Sequence, residues 1–137
     1  MTMRRALLAF IAGFIATLVF HQGGLALLNQ FGLTDRAPFN MSATEPFGVP
    51  QVFSLAFWGG VWGIALGWFL STRKKAWFTR AFIFGALLPT AVAMFVVMPL
   101  KGQPVAGGFD PALIVGGVIL NGLWALGTAA IYRLLGR

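Results

Sequence analysis

Long apolar runs alternate along this chain with short breaks that carry most of its charges. Four runs stand out: Ala6 to about Leu28, Val52 to Leu70, Ala81 to Leu100, and Ala112 to about Tyr132. About 20 apolar residues cross the roughly 30 Å of a bilayer's hydrocarbon as a helix. Backbone N–H and C=O groups in lipid have no water to bond, so each run must satisfy its own, which a helix does. The short segments of alternating polarity that mark a membrane barrel are absent. The pattern predicts an all-α membrane protein, a four-transmembrane-helix up-down-up-down bundle forming one integral membrane domain over residues 1–137.

Composition agrees. Of 137 residues 58% are hydrophobic and 9% charged, against about 25% charged in soluble domains. There is no cysteine, which excludes structural disulfides, Cys-ligated zinc, iron–sulfur clusters, covalent haem and thiol catalysis. The net charge of +7 would suggest nucleic acid in a soluble protein. Here it is better read as anchoring and orienting the helices, and no nucleic-acid partner is expected.

The charges set an orientation. Arg4, Arg5, Arg73, Lys74, Lys75, Arg80, Arg133 and Arg137 fall on one side of the expected membrane, and only Arg36 and Lys101 on the other. Cytoplasmic loops carry the Lys/Arg excess, so both termini are expected in the cytoplasm, in a membrane of the bacterial inner type. Asp35, Glu45 and Asp110 all fall on the outer side. Trp68, Trp77 and Tyr132 lie near the inner boundary, where aromatic belts form. The first run, with Arg4 and Arg5 before it, has the look of a secretory signal. No small-residue cleavage site follows Phe20-His21-Gln22-Gly23, so it is expected to stay as a span.

The connections differ. Ser71 to Arg80 is a tight hairpin, and Lys101 to Pro111 is short and rich in Gly and Pro. The link from Asn29 to Gln51 is the longest and carries Phe31, Leu33, Phe39, Met41, Phe47 and Val49 among turn formers. It is expected to fold as an outer cap, with Pro46 to Gln51 a stiff, non-helical approach to the second span.

Helices in lipid associate through small residues. Gly59, Gly63 and Gly67 recur every fourth residue, giving the second span one smooth face, and Gly116 and Gly117 lie in the fourth. This face packs either within the bundle or against a second copy or a partner protein. Polar residues inside spans are the default candidates for function. They are His21 and Gln22, Ser54, Thr90 and Asn121. Counted from the outer ends of their runs, His21, Asn121 and Thr90 lie roughly 10, 13 and 15 Å deep. They could converge on one pocket under the cap, helped by a kink at Pro89. The alternative is polar fasteners between helices. Trp58, Trp62 and Trp124 are deeper than belt residues, either as bulky packing or as an aromatic wall for a flat apolar ligand.

The rest is negative. His21 is the only histidine, no carboxylate lies in a span, and a catalytic zinc needs about three protein ligands. No phosphate loop, metalloprotease motif or nucleophile elbow is present. No catalytic residue, metal or cofactor is expected. The leading expectation is a small non-enzymatic membrane protein, an accessory or structural subunit packing against itself or a larger membrane complex through the glycine face. The runner-up is a small oligomeric transporter or channel component using the polar residues. A membrane enzyme or cofactor carrier comes third.

Overall fold

The computed structural model describes residues 1–136; Arg137, one of the basic residues counted above, lies outside them. The four runs are four long helices: α1 Met3–Gln30, α2 Gln51–Ser71, α3 Trp77–Leu100 and α4 Pro111–Leu135. Each contains the expected run and extends a few residues beyond it. Local chemistry marks the ends. Thr2 Oγ1 accepts from Arg5 N at 3.2 Å and caps α1. Beyond the other end of α1, Gly32 turns left-handed (φ 72°) and Leu33 N donates to Leu28 O at 2.9 Å, closing the last turn as a C-terminal glycine does. Pro50 halts the preceding chain before α2. Asp110 Oδ1 accepts from Ala112 N at 3.0 Å, and Pro111 follows as the first residue of α4.

Contacts between helices are broadest for α1 with α2, α3 with α4, and α1 with α4. Chain neighbours α2 and α3 meet more sparsely, largely through Phe84, which packs on Trp62 and Phe69. The core is built from small residues around a few large ones: Ala16, Ala81, Ala125 and Ala129 with Leu66, Leu70, Phe84 and Trp124. Most large apolar side chains point outward, as they must where the solvent is hydrocarbon.

The α1–α2 seam is the tightest. Gly13 lies against the backbone of Gly59 and Gly63, Gly59 against Thr17, and Gly67 against Ala9. A methyl group on Gly63 would stand 2.5 Å from Ala9 O and 3.0 Å from the Gly13 Cα. The glycine face of α2, expected to pack either within the bundle or against a second copy or a partner, is therefore occupied by α1 of the same chain. On α4, Gly117 meets Met94 and Thr90, whereas Gly116 has nothing within 4 Å. Gly116 is not an interface residue within the chain.

Two π-helical turns interrupt the helices, at Thr17–His21 in α1 and Ala93–Val97 in α3. Each inserts about one residue and so rotates the remainder of its helix about the axis. The turn in α3 lies between Pro89 and Pro99. Pro99 has no N–H to continue the α pattern, and Met98 N donates to Ala93 O instead. Pro89 itself is buried inside regular helix, so the irregularity lies beyond it and not at the residue where a kink was expected.

The Phe31–Pro50 link is ordered. Ala43–Thr44 (β1) pairs antiparallel with Val49–Pro50 (β2), and Gln51 N and Val52 N donate back to Ser42 O and Asn40 O at 2.9 Å each. Between α3 and α4, Ala106, Gly107, Gly108 and Phe109 all have positive φ (50°, 62°, 77° and 60°). They form one left-handed turn that only its two glycines adopt without strain.

The seam can be tested with paired glycine substitutions. Gly63→Ala should lower the unfolding free energy in mild detergent by about 1–3 kcal/mol through overpacking. Gly116→Ala should leave it unchanged or raise it by up to about 1 kcal/mol, because alanine is the better helix former. Equal melting of the two variants would contradict the backbone contact.

Candidate functional site

The polar residues of the spans separate into two groups. In the first, Gln22 is buried at the end of the α1 π turn. Its Nε2 donates to His21 Nδ1 at 3.1 Å, and its Oε1 accepts from Phe39 N at 2.7 Å. An amide NH₂ only donates, so His21 Nδ1 is the acceptor. The π turn sets this arrangement by bringing Gln22 round to face the α1–α2 link. Asn29, about two turns further along, donates to Thr34 O at 3.2 Å and Arg36 O at 3.1 Å. Gln22 and Asn29 together fasten the link to α1.

In the second group, Asn121 Nδ2 of α4 donates to Thr90 Oγ1 of α3 at 2.8 Å, and Thr90 Oγ1 reaches Gly117 O at 3.4 Å. The contact closes over Gly117, whose lack of a side chain lets the two helices approach. Among the described residues no hydrogen bond joins the two groups. Each pair ends in a protein–protein hydrogen bond. Ser54 is half-buried and takes part in neither group.

The tryptophans also separate. Trp124 is 3% exposed, and its Nε1 donates to Gly13 O at 3.1 Å. Thr17 Oγ1 donates to the same carbonyl at 2.9 Å. Trp58 is 57% exposed and lies edge-on to Phe57. Trp62 turns to Phe84. Of the expected belt residues, Trp68 is exposed. Trp77 stacks on the buried Tyr132 and donates to Ala129 O at 3.2 Å, so both belong to a helix contact. A sequence cannot distinguish an indole aimed at a headgroup from one aimed at a carbonyl of another helix.

Neither polar pair lines either of two clefts between the helices. The larger, about 740 Å³, lies between α2 and α3 and is lined by Trp62, Ala65, Trp68 and Phe69 on one side and by Arg80, Ile83, Phe84, Leu87 and Leu88 on the other. The smaller, about 370 Å³, lies between α3 and α4 beside Phe78 and Arg133. Arg80 was read from sequence only as an orienting charge. The structure makes it a wall of the larger cleft, with its Nε buried and without a hydrogen-bond partner among the described residues. An unaccompanied cation at the start of an apolar span was the available signal. Among the described residues no three of His, Cys, Asp and Glu come together. No protein-family model matches the chain, and no curated protein or solved structure matches it either.

Two substitutions test these assignments. Trp124→Phe keeps the ring and removes the donor, so it should cost about 0.6 kcal/mol, with an upper end near 1.7 kcal/mol, as interhelical hydrogen bonds in lipid do. Gln22→Leu should speed amide exchange at Phe39 while leaving exchange in α2 unchanged. Unaltered exchange at Phe39 would mean that Gln22 does not hold the link.

Proposed function

We propose that this chain is a small non-enzymatic membrane protein, an accessory or structural subunit that packs against itself or a larger membrane complex. The observation that carries this reading is the use made of its polar groups. Gln22, Thr90, Asn121 and the Trp124 indole are each engaged in fastening one part of the chain to another. The groups that a pathway or a reaction would draw on are already holding the bundle together.

The membrane arrangement belongs to the same proposal. The contacts pair helices in opposite directions: Ala9 meets Gly67 while Thr17 meets Gly59, and Gly85 meets Ala125 while Thr90 meets Gly117. This supports up-down-up-down crossing. The concentration of Lys and Arg at the two termini and between α2 and α3 supports cytoplasmic ends in an inner (plasma) membrane. The Phe31–Pro50 link then lies outside as a cap.

With the glycine face filled, the partner's surface is better sought on this cap. Phe31, Leu33, Met41 and Phe47 are exposed there, Phe47 to 90%. Irregular backbone does not enter lipid-exposed hydrocarbon. These side chains therefore lie at or above the headgroups, where an exposed apolar cluster marks an interaction surface.

Gentle purification from the native host, followed by mass spectrometry, tests the role. The expected result is recovery in fixed ratio with larger membrane proteins, lost on Phe31→Ser with Phe47→Ser while the melting temperature holds. Recovery alone, with a retained small molecule, would overturn it in favour of a ligand site. Orientation is tested by single cysteines in this cysteine-free chain. Ser42→Cys should react with an impermeant maleimide in intact cells, and Lys74→Cys only after permeabilisation.

A further inference from the structure

We propose that the cleft between α2 and α3 binds one anionic phospholipid, its phosphate on Arg80 and an acyl chain along Trp62, Ile83, Leu87 and Leu88. The argument begins with how α2 and α3 meet. They are joined by a short link, yet their closest ring contacts centre on Phe84, 6.2 Å from Trp62 and 5.4 Å from Phe69 between centroids. Beside these rings the helices leave about 740 Å³, the size of a small-ligand site. Its walls are aromatic and aliphatic except at Arg80. Its outer flank faces the surroundings directly, since Trp68, Ile83, Leu87 and Leu88 are all about half exposed.

Arg80 is the anomaly. A guanidinium presents five N–H donors, and a buried donor left unbonded is destabilising, more so on a charged group. The Arg80 Nε is buried and unpartnered among the described residues. It also stands in the first turn of α3, just after the uncapped Ala76, where the helix dipole favours an anion over a cation. Among the described residues the chain supplies no anion nearby. Asp35 and Glu45 precede α2 and Asp110 follows α3, so all three belong to the opposite ends of these helices, about 30 Å away by helix rise. More positive charge is close by: the Arg73 guanidinium sits 5.3 Å over the ring of Phe69, which lines the cleft, and Lys74 and Lys75 follow it.

An uncharged hydrophobe would fill the walls and leave Arg80 unanswered. A free anion would answer Arg80 and leave the walls bare. A phospholipid does both, because a guanidinium bonds a phosphate through two parallel N–H groups while the chain covers the aromatic floor. Basic pockets between helices on the cytoplasmic side hold anionic headgroups in this way. The lipid would also bridge α2 and α3, the chain neighbours that protein contacts join least. The inference uses the membrane placement proposed above and is independent of the accessory role.

The test uses the full chain in mild detergent, offered phosphatidylglycerol or phosphatidylcholine and read by native mass spectrometry. One phosphatidylglycerol should stay bound per chain in preference to phosphatidylcholine. Arg80→Gln should weaken its retention about tenfold, as loss of a charge-assisted contact does. Ala65→Trp, which fills the cleft without changing charge, should weaken it as well, and Arg4→Gln should not. Should the variants misfold, brominated phosphatidylglycerol on the unmodified chain serves instead and should quench tryptophan emission more than its brominated phosphatidylcholine counterpart. Equal retention or equal quenching by the two lipids would overturn the proposal. So would a preference that survives both Arg80→Gln and Ala65→Trp, or displacement of the lipid by equimolar inorganic phosphate, which would assign Arg80 to a free anion.

Discussion

At Gly13 three helices come together on one residue. The Cα of Gly13 in α1 faces Gly63 of α2 at backbone distance, and its carbonyl receives the indole N–H of Trp124 from α4. A side chain at position 13 would collide with the α2 backbone and push the three helices apart. In lipid, helices gain little from burying apolar surface against one another, so close approach and interhelical hydrogen bonds must hold them. The remaining architecture depends on this crossing. α2 and α4 are located by α1, and α3 is located by α4 through Gly85, Gly117 and the Asn121–Thr90 bond. α2 and α3 are consequently left with a cleft between them.

The same constraint explains the fate of the polar residues. Threonines and amides in the spans find partners in their own helix, across a helix seam or in the adjoining link. Thr17 and Thr128 bond carbonyls one turn back in their own helices, Thr90 and Asn121 bond each other across a seam, and Gln22 bonds the link above it. Arg80 departs from this pattern of internal pairing, and for that reason its surroundings point outside the chain.

The π turns join local structure to this pattern. Without the extra residue at Thr17–His21, helix phase would carry Gln22 away from the α1–α2 link. The turn in α3 ends just before Met98 and Pro99, with Met98 N donating to Ala93 O.

The number of helices and their approximate limits were legible in the amino-acid pattern, because run length against bilayer thickness and the backbone's need for hydrogen bonds leave one solution. The same pattern also determined that Gly59, Gly63 and Gly67 form a packing face, through helical periodicity alone. What it could not determine was the partner of that face, since a smooth ridge fits α1 of the same chain as well as another molecule. Counting along the spans places His21, Gln22, Thr90 and Asn121 at a similar depth, yet depth says nothing of rotation about each helix. A one-residue π insertion turns Gln22 toward the link, while Asn121 faces Thr90. Trp124 and Trp58 are alike in sequence but opposite in exposure for the same reason. Tertiary structure decided these matters because they depend on the azimuth of each helix, which is set by contacts between residues as far apart as Gly13 and Trp124.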